Sequence, residues 1–185
     1  FHVEIPPRRL REVQAAAGIL GAGVHAKLPF HEGVRPVIDD PAELILNQTW
    51  RPALAIVGAA GLPRLEDAGN VMLPLTSVRV SLRLPPGCDA GAAGEKLKTL
   101  LEQDPPYGAR VRFELSQTAS GWNAPELSPW LADSMDRASR AHFGREAAFM
   151  GEGGSIPFMD MLGKKYPGAQ FFITGVLGPH SNAHG

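Results

Sequence analysis

Residues 78–115 spell out a strand, a helix and a second strand, and this stretch constrains the fold more than any other. Val78, Val80, Leu82 and Leu84 alternate with Arg79, Ser81 and Arg83, the two-residue period of a half-buried strand. Arg83 then points away from the apolar face. Asp89 stands where a helix cap belongs, ahead of a helix predicted from about Ala90 to Leu101 with Ala93, Leu97, Leu100 and Leu101 on one side. Ala109, Val111, Phe113 and Leu115 alternate with Arg110, Arg112 and Glu114, and Ala53 to Val57 form a third apolar run ended by Gly58. The minimum reading is three strands with a helix laid on them, a small α/β layer.

The flanks read as mostly helical. Pro6 and Pro7 suit the start of a helix over residues 8–20. Residues 24–41 mix Gly, Pro, His and Asp without a period, an irregular connection leading to a short helix over 41–46. Ser120 to Pro125 is turn-rich and marks a boundary, giving an expected division into 1–122 and 123–185. Beyond it Ser128 is placed to cap a helix with Pro129 in its first position, Leu131, Met135 and Ala138 on one face and Gly144 at its end. A Gly-rich run, 151–157, precedes a short helix through Met161. Residues 169–176 are nearly continuously apolar, as in a central parallel strand, and the loop after such a strand is where an α/β site usually lies.

Charge and composition remove several function classes. With 18 basic against 19 acidic residues and no run of Lys and Arg, the chain has no electrostatic footprint for nucleic acid. No apolar stretch approaches the ~20 residues of a membrane-spanning helix, so no membrane partner is expected. The single cysteine, Cys88, cannot form an internal disulfide, and a cytoplasmic location is the expectation. The chain opens on Phe1 and stops at Gly185 directly after a turn-like Asn-Ala-His, which predicts a piece cut from a longer protein.

Few residues stand out chemically. His180 and His184 lie four apart in a Gly-Pro-containing loop; neutral imidazole is the commonest protein ligand for zinc, yet two loop histidines also serve as plain hydrogen-bonding groups. The Gly-rich run with Gly154 and Ser155 opens onto a helix N-terminus, where free N–H groups attract an anion such as a substrate carboxylate; a simple Ser155 cap is the alternative. Arg83 offers a fixed fork of donors for a carboxylate or oxyanion, or is merely solvated. Asn70, before the first alternating strand, reads as a turn residue. Trp50, Trp122 and Trp130 read as packing residues.

Taken together, Gly-Glu-Gly-Gly-Ser-Ile-Pro at 151–157 and His-Ser-Asn-Ala-His-Gly at 180–185 resemble the end of the dinuclear zinc family of carnosinase, aminoacylase, glutamate carboxypeptidase and succinyl-diaminopimelate desuccinylase. The likeness is closest to the carnosinase-like dipeptidases. Trp50 to Leu54, Asn70-Val71 and Val80 to Pro85 resemble that family's inserted dimerisation, or lid, domain.

The resemblance implies a lid of antiparallel sheet and helices at 1–122, incomplete at its start, and at 123–185 the C-terminal part of a mixed or parallel-sheet catalytic domain. It implies that His184 is the last zinc ligand and His180 only its neighbour. Gly154 and Ser155 are then substrate-carboxylate contacts, and Asn70 and Arg83 are lid residues reaching substrate in a partner subunit's site. Two zinc ions, or manganese or cobalt, would serve the complete enzyme, a homodimer acting on small peptides or N-acyl amino acids. The family's other ligands and its general base have no counterpart here, since no His-x-Asp or paired-Glu segment occurs, so the isolated chain is expected to be inactive. A non-catalytic dimerisation or interaction module is the rival reading.

Overall fold

The structure is a computed structural model that describes residues 1–26, 28–153 and 157–175. It divides into two compact units, Phe1–Trp122 with Ala148–Asp160, and Asn123–Ala147 with Met161–Gly185.

In the first unit, α1 (Pro7–Leu20) begins at a proline in its first turn and carries Arg8 and Arg9 ion-paired to Glu12 at 2.8 and 2.7 Å. Its buried face holds Val13 and Ala16, three apart on the helix. A short α2 (Gly23–Ala26) stands within the stretch read as irregular. α3 (Pro41–Thr49) runs one turn longer than the sequence suggested, and Asp40 caps it by accepting the Ala42 N–H at 2.8 Å. Val13, Ala16, Ile45, Leu46 and Trp50 form one buried cluster between α1 and α3. A helical hairpin of this kind is stabilised mainly by that shared apolar face rather than by helix propensity.

β1 (Ala53–Ala60) and β2 (Ser77–Arg83) form an antiparallel pair. The register puts Ala53 opposite Arg83 and Ile56 opposite Val80, then shifts by one residue so that Gly58 faces Arg79. Val57 is therefore an extra residue, a β-bulge. The apolar run does not end at Gly58, because the bulge absorbs the glycine and the ladder continues to Ala60.

α4 (Ala90–Glu102) follows with Asp89 accepting the Ala92 N–H at 2.6 Å. The helix buries Ala90, Ala93 and Gly94, but Leu100 and Leu101 are exposed, so the expected apolar face reaches only as far as Leu97. Lack of a Cβ at Gly94 matters, since one would lie 2.7 Å from a Leu115 methyl.

Residues 109–115 do not form the predicted strand. Alternation encodes which face is apolar, whereas a strand exists only if a ladder partner is within reach. Here the Phe113 N–H donates instead to the Glu102 carboxylate at 2.6 Å, and a single parallel bridge joins Pro86 to Gly121. The described sheet therefore has two strands, not the expected three.

In the second unit, α5 (Pro129–Phe143) ends where predicted, with Gly144 in the left-handed conformation at φ 71° and its N–H on the Arg140 carbonyl at 3.1 Å. Ser128 occupies the cap position without capping: its Oγ is buried without a partner, while its backbone N–H donates to the Gln170 side chain at 2.6 Å. α6 (Pro157–Lys165), whose residues are divided between the two units, extends past Met161. Residues 169–175 carry no strand, because no neighbouring strand among the described residues offers a ladder to their apolar run.

Arg140 binds Asp136 at 2.8 Å and also Glu146, and Asp136 accepts the Ala147 N–H at 3.1 Å. The Asp136 carboxyl is held below its ordinary value, first by the Arg140 hydrogen bond and further by Ala147 and the Arg140 charge, against the desolvation that would raise it. A depressed folded pKa contributes stability above the unfolded value and loses it as the pH falls through the folded one. Acidification through this lowered pKa, which lies below the ordinary 3.8, is expected to free the Ala147 N–H, read as lost hydrogen-exchange protection there, with the protection kept at pH 7.

Candidate functional site

Arg83 closes β2 at its C-terminal end. The alternation sets Val80 and Leu82 half-buried and leaves Arg79, Ser81 and Arg83 exposed, whereas Val78, also expected on the apolar side, is exposed as well. Arg79 and Arg83, four residues apart, are separated by roughly 13 Å of extended backbone. The two arginines contrast with Arg51, which is anchored by Glu43 at 2.6 Å and Asn47 at 2.8 Å. Among the described residues, neither Arg79 nor Arg83 has an ion pair or side-chain hydrogen bond, so each guanidinium can meet an outside carboxylate.

Asn70 lies in the connection between β1 and β2, exposed, at the centre of a three-residue turn in which the Val71 N–H donates to the Gly69 carbonyl at 2.8 Å. This is the turn role its sequence suggested. No hydrogen bond links Asn70 to Arg83 among the described residues, so the two present separate polar groups to solvent.

Gly154, Ser155 and His184, with His180, lie outside the described residues. The glycines just before Ser155 do have a role: a Cβ on Gly153 would sit 2.3 Å from the Gln48 carbonyl oxygen, and one on Gly151 would sit 3.3 Å from a Thr49 methyl. Part of the Gly-rich run therefore serves close backbone approach to the end of α3. Among the described residues no three His, Cys, Asp or Glu side chains are grouped to hold a metal ion, and no helix is long and apolar enough to cross a membrane.

A cleft of about 910 Å³ opens between residues 58–60 of β1, residues 75–84, α4 and residues 110–119. Arg79, Arg110, Arg112 and Glu114 contribute its charged groups, and Val80, Leu82, Leu97 and Leu115 apolar ones; Arg83 and Asn70 are not in its walls. Arg112 is paired with Glu114 at 2.5 Å, leaving Arg79 and Arg110 to give the cleft a positive cast. Sequence reasoning passed over both, although the alternation that singled out Arg83 places Arg79 on the same strand face.

Comparison with known proteins adds sequence and fold. No protein-family model matches the chain. The chain is 29% identical over 150 residues to a cysteinylglycine-S-conjugate dipeptidase of Corynebacterium striatum, a match covering 80% of this chain and 32% of that protein. Its fold is similar to that of human carnosine dipeptidase 1, with a TM-score of 0.60 at 19% identity, over 88% of this chain and 34% of the other. The Saccharomyces cerevisiae dipeptidase Dug1p aligns more loosely, with a TM-score of 0.47 at 20% identity over 76% of this chain and 32% of that one. The resemblance to the carnosinase-like dipeptidases therefore stands on a sequence relative and on a shared fold, for a chain that spans about a third of the length of each.

Proposed function

We propose that the chain is the lid and C-terminal portion of a metal-dependent dipeptidase, with residues 1–122 as the lid and 123–185 as part of the catalytic domain. The observation that carries this is the 29% identity, sustained over 150 residues, to a protein named as a cysteinylglycine-S-conjugate dipeptidase. Substrates of that class, small peptides or N-acyl amino acids, present a free carboxylate. Arg83, exposed and unpaired, is suited to bind it by a bidentate, charge-assisted contact, with Asn70, Gly154 and Ser155 as further substrate contacts.

Zinc, bound in part by His184, would activate water for attack on the amide carbon. The donors within the described residues do not fit such a site, which needs three or four ligands on one ion. No chemical step is therefore assigned to this chain alone.

The reading includes a homodimer paired through the sheet. All eight residues of β1 are exposed, including Leu54 at 63% and Ile56 at 67%, and β1 pairs only with β2 in the described sheet. A long exposed edge of this kind is a template for pairing with a second copy. This edge also supports the second reading, a non-catalytic dimerisation module. A cytoplasmic location completes the proposal.

Assay of the purified 185-residue chain on a cysteinylglycine S-conjugate is expected to show no hydrolysis with or without added zinc, while a longer protein containing it hydrolyses the substrate and loses that activity to a chelator. Zinc-dependent turnover by the chain alone would overturn the division of labour, and an inactive longer protein would favour the dimerisation module.

A further inference from the structure

We infer that the C-terminal end of α3 positions the loop that meets the substrate carboxylate: Gln48 and Thr49 form a seat for Gly151 and Gly153, and act through them on the contacts assigned to Gly154 and Ser155. The inference rests on the dipeptidase reading for the role of those contacts, but the seat itself follows from the first unit.

The last turn of α3 is fixed on several sides. Ile45, Leu46 and Trp50 are buried in the cluster shared with α1. The Trp50 and Arg51 N–H groups both donate to the Leu46 carbonyl, at 2.8 and 3.1 Å, and the Arg51 guanidinium reaches back to Glu43 and Asn47. Thr49 turns its hydroxyl into the helix, donating to the Ile45 carbonyl at 2.7 Å. That bond selects one rotamer of a stiff, β-branched side chain and leaves its methyl nearest Gly151: a Cβ there would lie 3.3 Å from the methyl and 3.9 Å from the hydroxyl oxygen. The Gln48 carbonyl is one of the last four of the helix, which have no intrahelical donor, and its oxygen faces Gly153.

Neither glycine has the positive φ that by itself calls for glycine, so what excludes a side chain at these positions is α3. A Cβ on Gly153 would lie 2.3 Å from the Gln48 carbonyl oxygen and 3.2 Å from the carbonyl carbon. Glycines of an open loop leave space around themselves, as Gly69 and Gly168 do. Residues Ala148–Asp160 accordingly belong to the first unit, although the chain on either side of them, Asn123–Ala147 and Met161–Gly185, forms the second.

Two peptide units of about 3.8 Å each separate Gly153 from Ser155, so a shift of Gly153 is passed to the residues that would meet substrate. A misplacement of about 1 Å near a reacting or binding group costs on the order of 100-fold. A methyl added at Gly153 must open the 2.3 Å approach by about 1 Å to reach van der Waals distance, and the obstacle is backbone, which cannot swing aside. At Gly151 the obstacle is a side-chain methyl, so the effect there is smaller.

The contact is tested in the unmodified 185-residue chain by a nuclear Overhauser effect between the Thr49 methyl and the Gly151 Hα protons. Its presence is expected, and its absence overturns the inference whatever the kinetics show. The role is tested in a longer protein that contains this chain, with S-benzyl-cysteinylglycine as substrate. Gly153→Ala is expected to raise KM by about tenfold or more with kcat kept within about threefold. Gly151→Ala is expected to raise KM about threefold, and adding Thr49→Ser, which removes the opposing methyl and keeps the hydroxyl, to restore it.

A purely structural role would lower the folded fraction, and with it kcat, at unchanged KM. That pattern, unchanged kinetics in Gly153→Ala, or no recovery in the double variant overturns the inference; if Gly153→Ala does not fold, the Gly151→Ala pair decides. A longer protein that leaves the substrate intact fails the dipeptidase reading and takes the assigned role with it, while the Overhauser effect still reports the seat, so the two failures are told apart.

Discussion

Trp50→Ala is expected to destabilise the first unit by about 3–5 kcal/mol, the range for truncating a buried aromatic residue. Trp50 is 7% exposed and packs with Val13, Ala16, Ile45 and Leu46. That cluster is the only buried apolar contact between α1 and α3 among the described residues, and the cavity left by an indole cannot be refilled by the small side chains Ala16 and Ala42 nearby. Domain stabilities are only about 5–15 kcal/mol, so the loss approaches the whole of the margin. Urea unfolding followed by helical circular dichroism checks it, with Trp130→Ala as the comparison: Trp130 is 66% exposed and its removal is expected to shift stability by no more than about 0.5 kcal/mol. Equal losses from the two substitutions would place the core elsewhere.

These two tryptophans also mark how far the sequence can be read. Both read in the sequence as packing residues, yet Trp130 is largely exposed; nothing local distinguishes the two, because burial depends on what arrives from elsewhere in the chain. Trp50 meets α1 from thirty-odd positions upstream; Trp130 meets little. Local chemistry was legible where it is self-contained. The caps at Asp89 and Gly144 act within a turn of their own helices, and the alternation over 78–84 marks β2 (Ser77–Arg83), with Val80 and Leu82 on its half-buried side.

Residues 109–115 carry the same alternation as β2 yet form no strand, since pairing is a property of two segments and periodicity of one. The same reason explains why 169–175 lacks the expected strand. Ser128 has the right residue type in the right place, but its hydroxyl makes no capping bond, because capping depends on the rotamer and not on composition. Of the candidate site, Asn70 and Arg83 were found exposed as expected, while Arg79 and Arg110 gained interest only once the cleft brought separate segments together. Gly154, Ser155 and His184 stay with the sequence argument alone.

On the proposed reading, Arg83→Ala in a longer protein that contains this chain is expected to lower kcat/KM for a cysteinylglycine S-conjugate by about 10²–10³, the effect of removing one well-placed donor to a substrate anion or developing oxyanion. Arg83 stands apart from the packing of its own unit. It lies exposed at the end of β2, opposite Ala53, and has no carboxylate partner among the described residues, so it contributes nothing to the fold that its removal would cost. Surface substitutions of this kind shift stability by no more than about 0.5 kcal/mol, which separates a binding role from a structural one. Arg83→Lys restores the charge without the planar fork, and an intermediate kcat/KM is expected from it if the contact is bidentate. A loss seen in KM alone would assign Arg83 to uniform substrate binding, and a loss seen equally in kcat and kcat/KM would assign it to the transition state. Unchanged kinetics in Arg83→Ala would remove this strand end from the substrate's surroundings.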